Sequence, residues 1–139
     1  MIGILVVTHS NLGQALVECG EQILGRTPGV AAVKIDAADN HEMALARIRE
    51  AVGQLATADG VLVLTDMFGG TPSNVSLTLL EPSKIEVVSG VNMPMLLHAV
   101  TARARASSLA ELAKNTAASG RKNIVIAGAL LDEGAVLAG

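Results

Sequence analysis

The sequence predicts an α/β protein with a doubly wound, mostly parallel sheet of strand order 2-1-3-4 and helices on both faces. Segments with strand and helix patterns alternate along the chain, as in proteins built from parallel strands and crossover helices. The strand segments are nearly continuous aliphatic runs, which is typical of strands buried on both faces. Half of the 139 residues are hydrophobic and Phe68 is the only aromatic residue, so the core is expected to be aliphatic. A chain of this length is expected to form one domain, residues 1–139.

The first half of the chain is expected to supply three strands and two helices. The predicted strands cover residues 2–8, 30–36 and 60–66. After the first strand, apolar residues recur at helical spacing from Asn11 until Gly25, which favours a helix stop. Asp39 precedes Glu42 by three residues, the spacing of a capping box, so a second helix is expected to begin there and run to about residue 57.

The second half continues the alternation. The predicted helices cover residues 72–80, 94–105 and 107–119, and the predicted strands cover residues 84–90 and 123–131. Pro72 and Pro94 favour the first turns of two of these helices, because proline lacks the amide hydrogen that is unpaired there. Gly120 is expected to end the last helix before the final aliphatic strand.

Polar residues follow the first and third strands. The first strand ends in Thr8-His9-Ser10 and the third in Thr65-Asp66. In doubly wound sheets, ligands bind beyond the carboxyl ends of the strands where the strand order reverses, so His9 and Asp66 are expected to meet there. A carboxylate that holds one ring nitrogen of a histidine leaves the other free as a nucleophile. The sequence therefore favours His9 as an acceptor of a phosphoryl group.

The segment after Asp66 is suited to anion binding. Gly69 and Gly70 can bend into a nest of amide groups, and a helix is expected to begin near Thr71. The hydroxyl group of Thr71 can add a hydrogen bond to a phosphoryl oxygen. Ser10 is the fourth candidate for phosphoryl binding, beside the start of the first helix.

Composition argues against several other classes of function. The net charge of -3 provides no basic surface for nucleic acid. The single cysteine, Cys19, excludes an intrachain disulfide framework and fits a reducing cytoplasm. No run reaches the roughly 18 apolar residues of a membrane span, so no direct membrane insertion is expected. The three histidines lack metal-ligand spacing, and neither a metal nor a cofactor is expected.

Plainer interpretations of the same residues stay open. His9 can simply cap a strand end, and the "GGTP" segment can be a helix start without a function. A hydrolase with Ser10, His9 and Asp66 is disfavoured because the sequence contains no G-x-S-x-G elbow.

Three motifs occur in order along the chain: "THS" (8–10), "DMFGGTP" (66–72) and "GVNMPML" (90–96). Together they resemble the IIA component of the mannose-type sugar phosphotransferase system, and the resemblance covers essentially the whole chain. It implies that His9 accepts a phosphoryl group from the phosphocarrier protein HPr and passes it to a IIB component, with Asp66 as its hydrogen-bonding companion.

The resemblance also implies a homodimer. Residues 123–131 would cross to the partner's sheet as an antiparallel edge strand. The family often has glycine where this chain has Ser10. The role can be sugar uptake, with possible association with IIC and IID membrane components, or sensing of the phosphorylation state for regulation. The phosphotransfer subunit of a dihydroxyacetone kinase shares the "HS" pair but lacks "GGTP", and is the alternative within this chemistry.

Overall fold

A computed structural model describes residues 1–132 and confirms the predicted alternation of strands and helices. The strands are β1 (Gly3–His9), β2 (Val30–Ile35), β3 (Val61–Thr65) and β4 (Ile85–Ser89). The helices are α1 (Leu12–Leu24), α2 (His41–Leu55), α3 (Thr71–Leu77), α4 (Met93–Ala102), α5 (Leu109–Lys122) and α6 (Ala127–Asp132).

The four strands form one parallel sheet in the order β2-β1-β3-β4, which is the predicted order. β1 and β3 occupy the centre. Every residue of β3 is buried, and β1 is buried up to Thr8. The continuous aliphatic runs of these two strands fit that position, because side chains on both faces of a central parallel strand are covered by helices.

Successive residues of β1 divide between two aliphatic cores. Ile4 and Val6 pack on the face covered by α1, α4 and α5. Leu5 and Val7 pack on the opposite face, against α2 and α3. Full burial of one such side chain contributes about 1.5–3 kcal/mol to folding. Helices therefore pack on both faces of the sheet, and its carboxyl edge is held in a fixed position.

The start of α2 differs from the prediction. Asn40, not Asp39, is the N-cap residue, and its side-chain oxygen accepts a hydrogen bond of 2.8 Å from the amide of Met43. Asp39 instead bonds to both Nη atoms of Arg47, at 2.8 and 2.9 Å, and accepts the Asp36 amide at 2.7 Å. The capping-box interpretation was wrong because the arginine on the next turns of the helix binds the carboxylate.

Gly120 was expected to end the last long helix, but it does not. α5 continues to Lys122, with Gly120 buried within it. A Cβ atom at Gly120 would lie 2.5 Å from Cγ of Met95 on α4. This glycine therefore permits close packing of two helices, and the helix tolerates its conformational cost.

The strand predicted for residues 123–131 is not confirmed, because the single chain does not form it. Residues 124–126 belong to no helix or strand, and the short α6 begins at Ala127. An apolar run without alternation is compatible with either conformation, and alanine and leucine, which follow here, are strong helix formers. The strand exchange in a dimer, which the resemblance implied, stays a prediction.

Across residues 1–132, none of the helices has the length and apolar character needed to cross a membrane.

Candidate functional site

His9 and Asp66 lie side by side at the carboxyl edge of the sheet. β1 and β3 pair in parallel with Val7 opposite Thr65, so the chain leaves both strands at the same edge. Nδ1 of the His9 ring is 2.7 Å from Oδ2 of Asp66. The backbone amide of His9 donates to the same oxygen at 2.9 Å. The contact predicted from strand order is therefore present, and it fixes both the backbone and the ring of the histidine.

Asp66 is held as a carboxylate. Its second oxygen, Oδ1, accepts the amide of Met67 at 3.0 Å, and its side chain is only 11% exposed. Burial raises the pKa of Asp66, but the hydrogen bonds from the His9 amide and ring, and then that from Met67, outweigh it and lower the pKa below its ordinary value.

The ionised state of Asp66 decides which ring nitrogen of His9 is free. A carboxylate can only accept hydrogen bonds, so Nδ1 of His9 must carry the proton in this contact. In a neutral imidazole, Nε2 then keeps its lone pair. The His9 side chain is 51% exposed. The arrangement therefore presents a nucleophilic nitrogen at the surface, oriented by a nearly buried carboxylate.

The turn after β1 aims the histidine outward. Ser10 adopts a left-handed conformation with φ of 51°, which costs a non-glycine residue about 1–2 kcal/mol. Its amide continues the sheet ladder by donating to the carbonyl of Ile35 at 3.0 Å. The buried hydroxyl group of Thr8 accepts the amide of Gly13 at 2.7 Å, which satisfies the first turn of α1. Sequence analysis missed this role of Thr8, because Thr8 lies four residues before the first residue of α1 and is not its N-cap residue, which is Asn11.

The two glycines after β3 adopt different conformations. Gly69 has φ of 91°, in the left-handed region, whereas Gly70 is the N-cap residue of α3 with φ of -85°. Gly70 lies against the His9 ring. Ser10 directly follows His9 in the chain, and Thr71 directly follows Gly70. Among residues 1–132, neither of these two hydroxyl groups forms a hydrogen bond to the His9 ring. The structure thus brings His9, Asp66 and Gly70 into contact and leaves Ser10, Gly69 and Thr71 around them.

Three hydroxyl groups, two of them buried and the third, that of Ser89, partly buried, support this edge of the sheet. Thr65 donates to Ser89 at 2.8 Å, and Ser73 lies 3.1 Å from the same Ser89 oxygen. They join the ends of β3 and β4 to the first turn of α3 and so fix the start of the helix that carries Gly70. Sequence analysis missed this cluster, because single serines at strand and helix ends have no distinctive spacing.

Fold and site together define a class: a doubly wound α/β protein with a half-exposed histidine that is hydrogen-bonded to a carboxylate. The model of one protein family, described as "PTS system fructose IIA component", matches residues 3–134. The chain therefore belongs to this family, the mannose-type IIA components of the sugar phosphotransferase system, which confirms the resemblance of its motifs.

Relatives and solved structures agree with this assignment. The "PTS system mannose-specific EIIAB component" of Escherichia coli (strain K12) is 31% identical over 124 residues, covering 88% of this chain but only 38% of that protein. The "PTS system sorbose-specific EIIA component" of Lacticaseibacillus casei is 32% identical over 110 residues, 78% of either chain. The crystal structure of phosphotransferase system component EIIA from Streptococcus agalactiae superimposes with a TM-score of 0.84 at 30% identity, covering 93% of this chain and 99% of that one. The chain is thus similar to IIA components that serve different sugars.

Proposed function

We propose that this protein is a phosphocarrier that accepts a phosphoryl group from phospho-HPr on His9 and passes it to a IIB component. The observation that supports this proposal most directly is the 2.7 Å contact between Nδ1 of His9 and Oδ2 of Asp66. It leaves Nε2 as the free nitrogen of a ring that is half exposed. The transfer serves sugar uptake or its regulation.

The chemical step is a transfer between nitrogen atoms. The lone pair of His9 Nε2 attacks phosphorus, an N–P bond forms, and the bond between phosphorus and the donor's nitrogen breaks with its electron pair going to the donor. The proton on Nδ1 stays in the hydrogen bond to Asp66, so the phosphorylated ring is cationic and the carboxylate stabilises it. Transfer to IIB reverses these events. The donor is already activated, so the proposal requires no metal or cofactor.

The phosphoryl oxygens are assigned to groups around Nε2. The amides of Gly69 and Gly70 and the hydroxyl groups of Ser10 and Thr71 are the candidates. Such groups stabilise the charge on the transferred phosphoryl group without covalent participation. Of the four, Gly70 is the residue that lies against the His9 ring.

A protein donor suits the position of the histidine. Two cavities, of about 560 and 290 Å³, are lined by residues such as Arg103 and Leu109 in the first and Met95 in the second, and neither is lined by His9. The ring instead projects from a surface that also exposes Met67 and Phe68, at 54% and 75%. Exposed apolar residues beside a reactive side chain are suited to docking of a partner protein.

The same proposal includes a homodimer of a cytoplasmic single-domain chain, residues 1–139, associated with IIC and IID components where it serves transport. The support for the dimer is an exposed apolar segment, of which Ile124 lines a cavity together with residues of the edge strand β4: Ile124, Val125 and Ile126 are 76%, 57% and 77% exposed. The molecular mass in solution, measured by light scattering, tests this part.

Phosphorylation by phosphoenolpyruvate, enzyme I and HPr tests the carrier function. We expect labelling of the native protein and none of His9→Ala. His41→Ala and His98→Ala are matched controls, because they remove the other two histidines of the chain and should leave labelling intact. An unlabelled native protein, or equal labelling of His9→Ala, would overturn the proposal.

A further inference from the structure

Gly70 occupies a position where a side chain would collide with the His9 ring. A Cβ atom built on Gly70 would lie 2.7 Å from Cε1 and 3.3 Å from Nε2 of His9. Cβ atoms in proteins essentially never approach another heavy atom within 3.0 Å. The glycine therefore packs its backbone against the edge of the ring that carries the free nitrogen.

The backbone of Gly70 does not itself require glycine. Its φ of -85° and ψ of 169° are extended values that any residue adopts. Gly69 shows the converse, because its φ of 91° favours glycine while a Cβ there would meet no atom of residues 1–132 within 4 Å. The two adjacent glycines thus satisfy different requirements, conformation at Gly69 and space at Gly70.

We infer that Gly70 is a positioning residue for His9: its missing side chain provides the space in which the ring keeps Nδ1 on Asp66 and Nε2 available. The effect of Gly70 on the rate of phosphoryl transfer rests on the proposed carrier function. Its effect on the orientation of the His9 ring does not depend on that function. Gly70 thus has a role beyond contact with phosphoryl oxygens.

The surroundings indicate what a methyl group at position 70 would displace. Asp66 is fixed by three hydrogen bonds, two from His9 and one from the Met67 amide. The Cγ atom of Met67 lies 3.5 Å from the same Cβ position, at ordinary contact distance. The half-exposed imidazole is held by one side-chain hydrogen bond and is the group that can yield, so it would swing away and lose the bond from Nδ1 to Asp66.

The test compares Gly70→Ala with Gly69→Ala in the unphosphorylated chain of residues 1–139. Nitrogen-15 NMR of the His9 ring reports which nitrogen carries the proton and whether it is hydrogen-bonded. We expect Gly70→Ala to lose the Nδ1-protonated, hydrogen-bonded signature while its thermal unfolding stays near that of the native protein. Gly69→Ala should keep the signature and unfold at a lower temperature, because alanine is strained at its positive φ.

Labelling from phospho-HPr supplies the second measurement. A reacting group displaced by about 1 Å can lose about 100-fold in rate, and we expect a loss of this order for Gly70→Ala. A native ring spectrum in Gly70→Ala, or loss of the signature in Gly69→Ala alone, would overturn the inference. The ring spectra need no phosphoryl donor, so failure of the carrier proposal, seen as an unlabelled native protein, is distinguishable from failure of this one.

Discussion

At the scale of one residue, the ionised side chain of Asp66 affects His9 in two ways. It accepts a hydrogen bond from Nδ1–H, which fixes the tautomer, and in the proposed carrier function it would balance the positive charge that the ring gains when Nε2 binds phosphorus. An asparagine at this position can accept the hydrogen bond but cannot balance the charge.

We therefore expect Asp66→Asn to slow phosphorylation of His9 by about 10- to 100-fold, the equivalent of the roughly 1.5–3 kcal/mol carried by a hydrogen bond to a charged group. The fold should persist, because the substituted side chain can still bond to the His9 amide. Rapid-quench labelling from phospho-HPr measures the rate, and circular dichroism checks the fold. Asp36→Asn is the control, since this carboxylate pairs with Lys34 instead of His9. Equal rates in Asp66→Asn and the native protein would contradict the orienting role.

The histidine and aspartate were predictable as residues because strand ends and strand order were both readable in the sequence. The aliphatic runs located the ends of β1 and β3, and parallel pairing brought those ends to one edge. The support given by Thr8 and Ser89 was not predictable in the same way. Their hydroxyl groups bond to atoms that only the folded turns bring into reach.

At the scale of elements, one side-chain cluster joins α2 to the segment that follows β2. Arg47 donates to the carbonyl of Lys34 and to both carboxylate oxygens of Asp39. Hydrogen bonds from the Arg47 side chain and then the Asp36 amide lower the pKa of Asp39 from 3.8 to about 2. A pKa that is lower in the folded state makes ionised Asp39 stabilising above about pH 3.8, and this contribution is lost as the pH falls through about 2.

Asp39→Asn is accordingly expected to lower the free energy of unfolding at pH 7, with the difference from the native protein narrowing between about pH 4 and pH 2. Urea unfolding across this pH range measures it. For Arg47→Gln, the loss in free energy of unfolding relative to the native protein should narrow over the same pH interval. The double variant should be little less stable than either single variant, because both substitutions remove the same contact. A difference that stays constant with pH would show that the contact is not electrostatic.

Elements were predicted correctly where sequence period and buried position agreed, and wrongly where packing overrode local signals. Gly120 carries a stop signal in the sequence, yet α5 runs through it because Met95 needs the space. Residues 123–131 carry an apolar run whose conformation depends on what covers it, and within one chain the alanine- and leucine-rich part becomes α6. The local sequence pattern contains no information about Met95, which packs against Gly120, or about what covers residues 123–131.

For the whole molecule, the relation of the site to the two ends of the sheet determines how a partner can dock. α1 begins beside His9 and runs back toward the amino end of the strands, so its last turn lies far from the site. Phe68 follows Asp66 by two residues and is 75% exposed, whereas Ile23, in that last turn, is 62% exposed. The protein thus exposes apolar side chains of similar size at opposite ends, and only Phe68 belongs to the segment that follows Asp66, at the end that carries His9.

Docking of phospho-HPr over His9 should therefore depend on Phe68 and be indifferent to Ile23. Aromatic hot-spot residues at the centre of an interface carry about 2 kcal/mol or more, so we expect Phe68→Ala to raise the KM for phospho-HPr by about 30-fold or more. The rate at saturating donor should fall far less, because Phe68 makes no hydrogen bond to the reacting pair. Ile23→Ala should leave both parameters near their native values. Steady-state labelling at varied phospho-HPr concentration separates these effects. A fall in the maximal rate without a change in KM would assign Phe68 to the placement of His9, and equal effects of the two variants would remove the docking role from this edge of the sheet.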